Sequence, residues 1–142
     1  MSSALDRIND LTSKISRYEL SRKQNLIKLE KLFHVLHIDE KVDTFADLFH
    51  FKAINLSGIG LSAENLGVIQ EGKYIQIIAI SYEAKAVVKN KNSSLAYFGR
   101  SDKIEESLKN EVVAFVLGWR FEKSFRTLEH YNELIASLPT DA

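Results

Sequence analysis

The sequence predicts an α+β fold: two helices bracketing a run of antiparallel strands. Three observations lead there. Residues from about Leu5 to His37 contain neither Gly nor Pro, and apolar side chains recur at helical steps. The middle of the chain alternates apolar and polar residues around a glycine-rich turn. The last apolar stripe is again helical and is closed by Pro139, which lacks the amide donor needed to continue a helix. There is no regular alternation of strands and helices, as a wound parallel sheet would require.

Composition bounds the function classes. The 142 residues suffice for one core, and 45% of them are hydrophobic and 27% charged. Lys+Arg and Asp+Glu both number 19, so the chain has no overall electrostatic footprint for nucleic acid or an anionic membrane. It has no cysteine, which rules out disulfides, thiolate metal sites and cysteine nucleophiles. Asp6, Arg7 and Asp10 interrupt the region where a signal peptide would need an apolar run, and the longest apolar run, Val112 to Leu117, is too short for a bilayer. A cytoplasmic protein without a membrane segment is expected.

In the first helix Ile8, Leu11, Ile15 and Tyr18 form one stripe, and Leu26, Leu29, Phe33 and Leu36 another. A strict heptad would put Arg22 and Asn25 in the seam, and a shift of register after Tyr18 avoids this, which reads as a stutter. At 1.5 Å per residue the helix is about 45–50 Å long, more than a small domain can cover. Eight wet apolar side chains would make an unusually large patch. Residues 1–40 are therefore expected to be an oligomerisation helix, pairing with another copy in a coiled coil or with a protein partner; the alternative is that the helix folds back on its own domain. Residues 41–142 are expected to form the second domain.

Strands are expected at about Leu48–Leu56, Tyr74–Ile80 and Ala84–Lys89, followed by a loop at Lys89–Ser94. Leu95–Phe98 reads as strand or not with equal ease, and Asp102–Asn110 as a short helix. Val112–Phe121, rich in branched and aromatic residues, reads as a strong strand. Phe125, Leu128, Tyr131, Leu134, Ile135 and Leu138 share a face of a terminal helix beginning near Ser124 or Thr127.

Few residues suggest chemistry. Gly58-x-Gly60-x-x-Ala63 follows a strand, and Glu83 lies near the end of the next, as in a dinucleotide fingerprint. That fingerprint needs a helix starting at the glycines, and Gly67 and Gly72 interrupt the connection. His34 and His37, with Asp39 and Glu40, could form part of a metal site but read better as surface residues. No catalytic triad can be assembled, and Phe115, Trp119 and Phe121 read as core. Lys89, Lys91, Arg100 and Lys103 form a loop cluster.

Asn55-x-Ser57-x-x-Gly60, followed by a strand led by Gly72, resembles the (Asp/Asn)-x-Ser-x-x-Gly motif of the PilZ domain. Leu117-Gly118-Trp119-Arg120-Phe121 resembles that family's closing strand before a C-terminal helix. The resemblance spans roughly residues 45–138. It implies a PilZ-like antiparallel β-barrel, six-stranded in the family, and the bacterial second messenger cyclic di-GMP as ligand. By resemblance Asn55, Ser57, Gly58 and Gly60 occupy the nucleotide-binding turn. The family's Arg-x-x-x-Arg clamp is not found in this sequence. Arg17 and Arg22 come nearest, one residue too far apart and about 140° apart around a helix. If a charged hydrogen bond contributes about 1.5–3 kcal/mol, losing two such clamps costs about 3–6 kcal/mol, or roughly two to four powers of ten in affinity. The expected function is a non-catalytic signalling adaptor working through protein contacts and self-association, with a degenerate nucleotide site. The alternatives are a functional cyclic di-GMP receptor and, more distantly, a dinucleotide-dependent enzyme.

Overall fold

A computed structural model describes residues 3–83, 85, 87 and 90–140. Helix α1 spans Ala4–Val35. Its start is set by Ser3, whose Oγ accepts from the Asp6 amide at 3.1 Å while the Asp6 carboxylate accepts from the Ser3 amide at 3.3 Å. Beyond its end His37 takes a left-handed conformation, φ +59°, that turns the chain into a 3-10 turn at Ile38–Glu40.

The heptad runs through α1 without a stutter. Leu29, Leu32 and Leu36 continue the phase set by Ile8, Leu11, Ile15 and Tyr18, and all three are buried. Arg22 and Asn25 do sit in the seam. The expected shift of register was a way of avoiding polar seam residues. The structure instead satisfies them from α2, which spans Glu106–Ala136. Asn25 Nδ2 donates to the Gly118 carbonyl at 2.9 Å, and Arg22 meets Glu122. Gly118 permits this closeness, since a Cβ there would lie 2.9 Å from Asn25 Oδ1.

The expected strand at Val112–Phe121 is therefore the interior of α2. Branched and aromatic residues suggested a strand, but Val112, Phe115, Val116 and Trp119 are buried at helical spacing. The helix packs on the core with these residues and on α1 at Gly118. Burial on two sides makes its sequence almost continuously apolar, and such a run does not reveal its period. The expected short helix at Asp102–Asn110 and the terminal helix belong to this same element, preceded by a 3-10 turn at Ser101–Lys103.

Three strands, β1 Ala53–Ser57, β2 Tyr74–Tyr82 and β3 Asn90–Arg100, form an antiparallel sheet in the order β1-β2-β3. The sheet is open, with β1 and β3 at its edges, where a closed barrel was expected. Ile54, Ile75, Ile77, Ala79 and Leu95 face a core shared with Leu29, Phe33, Leu48, Phe115 and Trp119. The expected first strand begins late because Phe45–His50 is a 3-10 turn, capped by Thr44 Oγ1 accepting from the Asp47 amide at 3.3 Å. The expected loop at Lys89–Ser94 is strand from Asn90 onward. Its polar side chains suit an exposed edge while its backbone pairs with Ile78–Tyr82. β3 carries an extra residue at Leu95 and at Phe98, where its register with β2 slips. The expected strand at Ala84–Lys89 lies largely outside the described residues. Among those described, no helix is long and apolar enough to cross a membrane.

Candidate functional site: the glycine turn and the helix pair

The turn between β1 and β2 closes on itself. Ser57 Oγ donates to the Tyr74 carbonyl at 3.0 Å. Gly58 is buried with φ +89°, and a Cβ there would stand 2.8 Å from the same carbonyl. Ile59 and Ile69 form an isolated antiparallel bridge. The Gly60 amide donates to the Val68 carbonyl, and the Gly60 carbonyl accepts from the Gly67 amide, each at 2.9 Å. A Cβ on Gly60 would come within 2.6 Å of Asn65 Oδ1. Both glycines are thus required by this turn's own neighbours. No helix starts at Gly60: bends and turns fill residues 62–67, and the next regular element is β2. The dinucleotide fingerprint lacks the helix terminus its chemistry needs.

Asn55 is exposed on β1, and an arginine does reach it. Arg120, from α2, donates through Nη2 to Asn55 Oδ1 at 3.2 Å and through Nε and Nη2 to the Ile54 carbonyl at 3.3 and 3.2 Å. It is one of three donors by which α2 holds this segment. Trp119 Nε1 donates to the Leu48 carbonyl at 2.8 Å, and Lys123 Nζ to the Phe49 carbonyl at 2.7 Å. Burial lowers the pKa of Lys123, and the nearby Arg126 charge adds to this. The sequence marked 117–121 for its family likeness but gave Arg120 no role. Its place next to a core tryptophan was the only signal.

Arg22 is elsewhere, and it is engaged. Its Nε and Nη2 donate to the two oxygens of Glu122, both at 2.9 Å, and its Nη1 lies 2.6 Å from Glu129 Oε1. Its guanidinium also sits 5.0 Å from the centre of the Phe125 ring. These bonds, Glu122 first, hold its proton more firmly than usual. Glu122 is fully buried and also accepts from Arg126 Nε at 2.9 Å, with Arg126 lying 3.9 Å from the centre of the Phe49 ring. Arg17 is exposed on α1 and lines a shallow surface hollow with Lys14, Tyr18 and Ser21. The structure thus brings Asn55, Ser57, Gly58 and Gly60 together, but ties Arg22 into the helix pair.

Of the loop cations, Arg100 pairs across from Tyr74, near the turn, and bonds Asp102 at 3.2 Å. Lys91 pairs across from Ser81 at the other end of β2, and Lys89 lies outside the described residues. His34 bonds Asp39 at 2.9 Å and His37 lies 3.7 Å from Glu40, as separate pairs. Among the described residues no group of three or more metal-ligating side chains forms.

The largest uncovered feature lies beyond Arg22. Every residue from Ser3 to Ser21 is exposed, and so is every residue from Arg126 to Thr140. The outer halves of α1 and α2 are two arms whose apolar stripes stay largely exposed among the described residues, with Tyr18 and Leu128 sharing a shallow hollow over Phe121 and Phe125. Comparisons of the chain with protein-family models, with curated proteins and with solved structures give no match.

Proposed function

We propose that this chain is a non-catalytic adaptor of bacterial cytoplasmic signalling, PilZ-like at its glycine turn, that acts through protein contacts and self-association. The observation that carries this reading is the pair of apolar arms. Leu5, Ile8, Leu11, Ile15 and Tyr18 on α1, Leu128, Tyr131, Leu134 and Ile135 on α2, and Leu138 just beyond it, are each at least half exposed. At about 100 Å² apiece they leave on the order of 1,000 Å² of apolar surface wet, beyond the roughly 300–600 Å² of the largest patch on a typical monomer. A degenerate nucleotide site is supported by the turn itself. Ser57 spends its hydroxyl on Tyr74, Gly60 packs on Asn65, and Arg22 is held by Glu122.

Calorimetric titration with cyclic di-GMP tests the nucleotide half, and no micromolar binding is expected. Light scattering tests self-association, with an oligomer as the expected result. One contact favours the second reading, a working cyclic di-GMP receptor: Arg120 stands beside Asn55 with a guanidinium at the motif. Micromolar binding that disappears in both Arg120→Ala and Ser57→Ala would establish the receptor and displace the degenerate site.

A further inference from the structure

The two arms carry the same pattern. On α1, Ile8, Leu11, Ile15 and Tyr18 are 58–60% exposed, and on α2 Leu128, Tyr131 and Ile135, with Leu138 in the turn just beyond the helix, are 59–67% exposed. Both stripes step by three, four and three residues. A spacing that reads the same in either direction fits its own reversed copy layer by layer. In an antiparallel pair Ile8 meets Tyr18 of a second copy and Leu11 meets its Ile15. On α2, Tyr131 meets Ile135, and Leu128 meets Leu138 of the turn just beyond the helix.

The midpoints of the stripes, Ser13 and Glu133, also lie nearly level. Arg22 meets Glu122 across the antiparallel helix pair. Nine residues outward from each come Ser13 and Tyr131, the latter about 3 Å along the helix from Glu133. One two-fold axis can therefore serve both arms.

Charge selects the direction. Toward the tips Asp6 and Asp10 outnumber Arg7. Toward the body Lys14, Arg17 and Arg126 outnumber Glu19 and Glu129. Arms laid side by side with tips together would stack like on like, whereas arms overlapped in opposite directions set acidic tips against basic bases. The exposed apolar area, on the order of 1,000 Å² a chain, matches the roughly 800 Å² per partner of a standard stable interface.

We propose that two copies of this chain join through their arms as an antiparallel four-helix bundle, with the two-fold axis near Ser13 and Glu133 and the two bodies at opposite ends. This rests on the self-association reading above and adds its partner, geometry and residues. Sedimentation velocity on the full chain should give a dimer. Ile15→Glu combined with Ile135→Glu should weaken it at least tenfold, while the fluorescence of Trp119, buried in the body, reports an unchanged fold. Asp6→Lys with Asp10→Lys should also weaken the dimer, and adding Lys14→Asp with Arg17→Asp should restore it. The chain has no cysteine, so Ser13→Cys and Leu20→Cys each take one spin label. The Leu20 pair should lie about 20 Å apart along the bundle and the Ser13 pair almost level. A monomer at every concentration overturns both this bundle and the self-association reading. A dimer indifferent to the two glutamates leaves self-association standing and overturns the bundle. Leu20 labels as level as those at Ser13 overturn the antiparallel direction.

Discussion

Leu11 and Leu29 lie on one helix, in one unbroken heptad, and meet opposite surroundings. Leu29 is 1% exposed, packed among Phe33, Gly118 and the sheet, whereas Leu11 is 60% exposed. The boundary between them is the Arg22–Glu122 pair. Inside it the stripe of α1 joins the core shared with α2 and the sheet, and outside it the stripe stays largely exposed among the described residues. A heptad fixes which face of a helix is apolar and says nothing about where the cover comes from.

That contrast can be broken most sharply at the body. Leu29→Ala should destabilise the fold by about 2–5 kcal/mol, through lost burial and the cavity left behind. Leu11→Ala should change it by no more than about 0.5 kcal/mol in dilute solution, where no second copy covers the residue. Urea denaturation followed by Trp119 fluorescence measures both, and equal costs would erase the distinction between body and arm.

The boundary itself comes next. Glu122→Ala should cost about 3 kcal/mol, since it strands Arg22 and Arg126 against Phe125 and Phe49 without their buried carboxylate. A near-neutral result would mean the arginines find water and the pair marks no boundary. Smaller is Trp119→Phe, expected to cost about 1–3 kcal/mol because the Leu48 carbonyl loses its donor. Circular dichroism follows this variant, which has no tryptophan.

The smallest effect concerns pH. Lys123 has a folded pKa below its usual 10.5. Between the lowered value and 10.5 the unfolded chain binds more protons than the folded one, so the contribution of Lys123 to stability rises with pH in that window. Urea denaturation of the parent chain and of Lys123→Met should show the parent gaining relative to the variant as pH approaches 10.5. A gap that shrinks instead would mean the amine is better solvated than its bond to the Phe49 carbonyl suggests.

Helix α1 was legible because Gly and Pro are missing from it and its stripe repeats over many turns. β2 was legible from the apolar residues Ile75, Ile77 and Ala79 at every second position. The centre of α2 was misread as strand because two-sided burial hid its period. The first part of β3, Asn90–Ser94, was misread as loop because an edge strand needs no apolar side chains there. At the glycine turn the residue types were legible, and the internal use of each was not. Ser57 and Gly60 look alike in sequence whether a ligand or Tyr74 and Asn65 stand against them.

By itself the sequence determined the helical ends, the apolar stripe on each, the position of the glycine turn and the lack of any cysteine chemistry. These are local properties, set by backbone propensity and by the spacing of side chains along one element. Only the tertiary structure decided that Arg22 belongs to Glu122, that Arg120 reaches Asn55, that the sheet stays open and that the stripe of α1 is covered for only half its length. Each of these depends on which residues meet across long stretches of chain, and that is a matter of packing, to which local periodicity is blind.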